Sequence, residues 1–104
     1  SNLSHQIGEI RANPNRLKVI QTAVAGTDMQ LERLIRSDPT NDRWYLERGD
    51  LYIFAAQLTG NADHVSSALN FYRQSAALSP ARLVPLYKAA TAHTLLEDYS
   101  AALA

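Results

Sequence analysis

Apolar residues recur along this chain at intervals of three and four, and proline, glycine and capping residues interrupt them at short distances. Leu3, Ile7 and Ile10 predict a helix over residues 3–12 that stops before Asn13-Pro14. Asn13 can cap the next helix with Pro14 at its first position, where the missing N–H costs nothing, and Leu17, Ile20 and Val24 line its inner face. Gly26 is expected to end that helix, with Thr27 or Asp28 capping another that carries Met29, Leu31, Leu34 and Ile35 and closes at Asp38-Pro39. Asn41 or Asp42 caps a long helix over residues 43–58, and Thr59-Gly60-Asn61 makes a turn whose glycine suits a left-handed C-cap.

Asp63 is expected to cap a helix reaching about residue 78, with Val65, Leu69, Tyr72 and Ala76 on one face, before Ser79-Pro80. A helix over residues 84–96 follows, tolerating Pro85 in its first turn and directing Leu86, Ala89, Ala90 and His93 inward. Glu97-Asp98 then reads as a tight turn, and a last helix starts at Tyr99. No stretch alternates with period two and no Asn-Gly or Asp-Gly hairpin turn is present. The expected class is all-α, with about seven helices.

Within this pattern, Tyr45-x2-Arg48-Gly49-x2-Tyr52 is followed by Ala68-x3-Tyr72 and by Pro80. An offset of 41 residues carries Pro39, Tyr45, Gly49 and Tyr52 onto Pro80, Leu86, Ala90 and His93, and this second copy continues to Tyr99 and Ala102. The series resembles the tetratricopeptide repeat, W-x2-L-G-x2-Y, then A-x3-F, then P. It departs from the family in placing Arg48 at the leucine position and in lengthening the stretch between Tyr52 and Ala68 by about seven residues over the family's period.

The resemblance implies antiparallel helical hairpins stacked as a short right-handed solenoid. Residues 1–12 end an earlier repeat or form a lead helix, residues 14–38 form a degenerate hairpin, residues 41–80 a repeat with a lengthened inter-helix turn, and residues 81–104 a truncated repeat, all in a single domain or a fragment of a longer array. It also implies a concave partner-binding groove. The positions corresponding to the family's groove are Arg43, Leu46, Asp50, Ile53 and Phe54 in one copy and Val84, Tyr87, Thr91, Thr94 and Leu95 in the next. Leu46, Asp50, Tyr87 and Thr91 stand where some members clamp a terminal carboxylate with lysine and asparagine, so that clamp is absent here and Asp50, read as a free acid, would repel a carboxylate. The mixture of apolar side chains with Asp50 and Arg43 better suits an amphipathic helix or apolar segment.

Charge and composition narrow the reading further. Ten basic and ten acidic residues cancel, seven of each in residues 1–52 and three of each in residues 53–104, so neither half has the excess of a nucleic-acid or anionic-membrane binder. The fall in charge along the chain implies that more helix surface is covered in the second half. The aromatics Trp44, Phe54 and Tyr87 fall outside the family's packing positions and are candidates for display. With no cysteine there is no thiolate metal site or thiol nucleophile, and neither cytoplasm nor periplasm is favoured. No apolar run approaches the roughly 20 residues that span a bilayer, and the first residues lack the pattern of a signal peptide.

His5, His64 and His93 have no metal-ligand spacing, no serine lies in G-x-S-x-G, and no glycine-rich phosphate loop exists. The chain is therefore read as a non-enzymatic scaffold without cofactor, holding a protein or peptide partner. An assembly factor of a bacterial envelope or secretion complex is one form such a scaffold takes. The alternative is a positioning segment of a longer multidomain enzyme or exporter. The uncharged end formed by Tyr99, Ala102 and Leu103 is further expected to leave an apolar surface open to self-association.

Overall fold

The computed structural model describes the backbone of residues 2–103 and the side chains of residues 4–102. The expectations placed on Leu3 and Leu103 therefore lie outside the described side chains. The fold is all-helical, with five helices and no strand among the described residues: α1 (Asn2–Ala12), α2 (Pro14–Ser37), α3 (Asp42–Thr59), α4 (Ala62–Leu78) and α5 (Leu83–Leu103).

Asparagines start three of the helices. The Asn13 side chain accepts from the Asn15 and Arg16 N–H groups at 3.1 and 3.2 Å, with Pro14 opening α2. Asn41 accepts from the Arg43 N–H at 3.1 Å, and Asn61 from the Asp63 N–H at 2.9 Å. Asn61, not Asp63, is thus the α4 cap, each asparagine satisfying a donor that the first turn leaves free. Gly60 stops α3 in the left-handed region, φ 70°, and its N–H reaches the Ala56 carbonyl at 2.7 Å.

Five helices replace the expected seven because two anticipated breaks are helical. The hairpin expected over residues 14–38 is one helix of 24 residues running through Gly26. A lone interior glycine costs about 1 kcal/mol, which packing against a neighbour outweighs. Neither candidate cap is available there. The Thr27 hydroxyl donates back to the Ala23 carbonyl at 3.0 Å, and the Asp28 carboxylate is held by α3. Glu97-Asp98 likewise continues α5, with Glu97 3.0 Å from His93 one turn earlier.

The core lies along α4, which packs on α3 at one side and α5 at the other. Val65, Ala68, Leu69 and Tyr72 are buried along it, and Leu46, Tyr52 and Ile53 from α3 meet Ala89, Ala92 and Leu96 from α5 around the Ala68–Leu69–Tyr72 cluster. Gly49 lies directly against Tyr72: a Cβ built on it would stand 2.5 Å from the ring. Only hydrogen fits there. Helices α1 and α2 extend this arrangement on the far side of α3, where Ile7 and Leu31 are their buried residues among those described.

Helix α5 is rotated relative to the 41-residue register. Ala90 and His93, expected inward, are exposed, as is Ala102, and Leu86 is half-exposed. The inner stripe is instead Pro85, Ala89, Ala92, Leu96 and Tyr99, with Ala92 only 1% exposed. The reason is physical: the Ala90 face would have carried the His93 imidazole into an apolar contact at a desolvation cost, whereas the Ala92 face presents Pro85, Ala89 and Leu96.

Candidate functional site

The groove positions implied by the resemblance fall along α3 and α5, and charged side chains bridge these two helices over α4. Asp50 on α3 accepts from the Tyr72 hydroxyl at 2.5 Å and from the Lys88 ammonium at 2.7 Å through both carboxylate oxygens. Eight residues earlier on α3, Asp42 pairs with Arg82, immediately before α5. Burial, then the hydrogen bond and charge of Asp50, push the Tyr72 phenol far above the usual tyrosine range. Its proton stays on the phenol, and the hydroxyl acts as a fixed donor. Two ion pairs and one phenol thereby join α3, α4 and α5 into one surface.

Each groove candidate has a definite place on or under this surface. Arg43 is exposed, donates to Glu47 at 3.0 Å and lies 5.4 Å from the Trp44 ring centre. Leu46 and Ile53 pack on the core cluster, so they support the face instead of forming it. Phe54 and Leu95 are half-buried. Val84, Thr91 and Thr94 are exposed, and Tyr87 is 73% exposed. The Thr91 and Thr94 hydroxyls donate to the Tyr87 and Ala90 carbonyls of their own helix. Asp50 is not a free charge that would repel a carboxylate, because Lys88 neutralises it.

Among the repeat positions, Gly49, Ala68 and Tyr72 are buried together, Tyr45, Tyr52 and Tyr99 are half-buried, and Pro80 is exposed. The Tyr99 hydroxyl lies 3.5 Å from the Ala56 carbonyl, tying the second half of α5 to α3.

A second polar cluster joins α2 to α3. The Asp28 carboxylate accepts from Arg48 Nε at 2.6 Å and from the Tyr52 hydroxyl at 3.1 Å, while the Arg48 guanidinium lies 4.6 Å from the centre of the Phe71 ring. Burial opposes the Arg48 charge, but Asp28 more than offsets it and the net shift is upward. Burial and Asp28 both raise the Tyr52 phenol. Above the cluster is a cleft of about 320 Å³ with an apolar floor of Val24, Ala25, Ala55 and Leu58 and a rim that includes Gln21, Thr59 and His64. Sequence reasoning missed Asp28, Lys88 and Arg82. The departure from the repeat pattern at Arg48 was the available signal, since a cation at an inward position requires a carboxylate nearby.

The half-buried Asp28 and the exposed Asp50 carboxylates are thus each held by a cation and a phenol. Among the described residues no group of three histidine, cysteine or acidic side chains could hold a metal ion, and no helix is long and apolar enough to cross a membrane. In comparisons with known proteins, the chain matches no family model, no curated protein and no solved structure. The repeat resemblance rests on the residues of this chain alone.

Proposed function

We propose that the chain is a non-enzymatic protein-interaction module of the helical-repeat type, docking an amphipathic helix or apolar segment of a partner protein on the face shared by α3 and α5. One observation carries this reading. Tyr87, a large aromatic that is 73% exposed, lies beside the exposed Val84 and Thr91 and next in sequence to the Lys88 that binds Asp50. A rigid aromatic on a braced helix is the type of anchor that dominates protein interfaces, since it brings contact area at little entropic cost. Arg43 and Glu47 at the α3 end supply a polar rim.

Affinity capture with the intact protein tests the reading. Tyr87→Ala should lower recovery of the partner by about 30-fold, as expected when an interface anchor is truncated. Gln74→Ala, at an exposed position of α4, should leave it unchanged. Asp50 is a poor target because its loss also frees Tyr72 and Lys88. Partner recovery that survives Tyr87→Ala and fails with Gln74→Ala would move the site off this face.

A further inference from the structure

Helix α5 is apolar on two opposite sides. Its inner stripe covers α4, and about half a turn away Leu83, Leu86, Ala90, Thr94 and Ala101 lie along one face, interrupted between the last two by Glu97, which pairs with His93. All five are exposed, Leu83 at 78%. This stripe is distinct from the side of α5 that carries Val84, Thr91 and Lys88 toward α3. A helix apolar on both sides is normally covered on both.

We propose that the stripe is covered by a second copy of this chain, in an antiparallel α5–α5 contact about a two-fold axis at Ala90. Three observations select this occupant. First, Ala90 is the smallest side chain at the centre of the stripe, and a small residue there allows two helices to approach within roughly 8–10 Å. Second, the charges at the ends are complementary to themselves. Arg82 precedes α5 and Asp98 lies in its second half, each eight positions from Ala90, so a two-fold there sets Arg82 of each copy against Asp98 of the other. The Asp98 carboxylate has no ion-pair or hydrogen-bond partner among the described residues, and Arg82 uses one amino group on Asp42 with further donors to spare. Third, the ten basic and ten acidic residues cancel, so two copies approach without net repulsion.

The same axis sets Leu86 against Thr94 of the second copy and Leu83 against the aliphatic stem of its Glu97. A stripe this narrow places the contact at the lower end of specific interfaces, about 1,000 Å² in total. A contact of that size is a reversible one, to be sought in sedimentation from about 10 to 100 μM upward. Tyr87, one turn from both Leu83 and Ala90, stands at the edge of this contact, so the pairing and the partner face share that side of α5.

Sedimentation of the full chain across that range, together with oxidative cross-linking, tests the pairing. Because the chain contains no cysteine, Ala90→Cys introduces a single thiol that the axis brings face to face with its counterpart. Its dimer should cross-link at least about tenfold faster than that of Gln74→Cys, at an exposed position of α4. Arg82→Glu should weaken association about tenfold, and adding Asp98→Lys in the same chain should restore it, because the ends again carry opposite signs. Helicity of each variant is checked by circular dichroism, and the restored double variant excludes misfolding as the cause of the loss. Equal cross-linking at positions 74 and 90, or failure of the double variant to recover, would overturn the pairing. An Ala90→Cys chain that is monomeric at about 1 mM, and whose thiol is shielded from a maleimide only when another protein is added, would give the stripe to a different occupant and overturn it too.

Discussion

Helices α3, α4 and α5 bury side chains on both flanks of α4, whereas α1 and α2 meet α3 along one narrow seam. In the first region, small residues set the spacing: Gly49 admits the Tyr72 ring, and Ala68 and Ala92 let the neighbouring helices close around it. In the second, α2 runs about 36 Å with Leu31 its one buried residue among those described, while Val19 and Met29 are more than half exposed. Leu17, Ile20, Val24 and Ile35 are only half-buried, and the Asp28–Arg48–Tyr52 cluster adds polar contacts to this attachment. The two regions are both helical, but one is held by close packing of fully buried side chains and the other by mostly half-buried ones with a few polar contacts. Free energies of local opening should differ between them accordingly.

The largest effects are expected where the packed region has no space. Gly49→Val drives methyl groups into a Tyr72 ring that is buried and pinned through its hydroxyl to Asp50, and Ala92→Leu overfills the contact between α4 and α5. Each should lower the unfolding free energy in urea by about 1–3 kcal/mol, whereas Ala90→Leu, on the exposed side, should change the monomer by less than about 0.5 kcal/mol. Equal costs at positions 90 and 92 would mean that α5 presents a different face to α4.

These paired substitutions also mark how far the chain could be read without its structure. The all-helical class, the Asn13 cap and the Gly60 stop were legible because each depends on residues close in sequence, whereas the α4 cap fell to Asn61 in place of Asp63. The face of α5 was not legible. Its apolar residues form two stripes on opposite sides, and spacing alone cannot say which stripe meets α4 until the polarity of His93 is weighed. The apparent breaks at Gly26 and Glu97-Asp98 failed for a related reason: local preference at one or two positions is small beside the packing of a whole helix. For the site, Tyr87 was identified as displayed, but Asp50 was read as a free acid because its partners, Tyr72 and Lys88, lie 22 and 38 residues away.

An intermediate effect should appear at the seam. Arg48→Ala removes the cation from the part-buried Asp28 carboxylate and the guanidinium from the face of Phe71, leaving the Tyr52 hydroxyl as the remaining donor. A loss of about 1–2 kcal/mol is expected, less than for a fully buried pair because both side chains keep some contact with water. Hydrogen exchange distinguishes a local from a global change: amides of α1 and α2 should exchange about tenfold faster while those in the middle of α4 keep their relative protection. Uniform acceleration through all five helices would show that the seam and the core open as one unit.

The smallest effect concerns the middle of α2. Gly26 is helical and exposed, and a Cβ built on it meets nothing within 4 Å. Alanine can take that conformation without strain, while the glycine gives the unfolded chain conformational freedom that is lost on folding. Gly26→Ala should therefore stabilise α2 by about 0.5–1 kcal/mol. Because α2 is joined to α3 only along its seam, the gain should appear mainly as slower amide exchange on both sides of residue 26, with little change in the urea midpoint of the α3–α5 core. A continuous helix requires protection to rise on both sides together. If protection rose on one side only, or fell, the chain would bend at Gly26 in solution, and the two halves of α2 would behave as the separate helices that glycine and threonine at this position would otherwise favour.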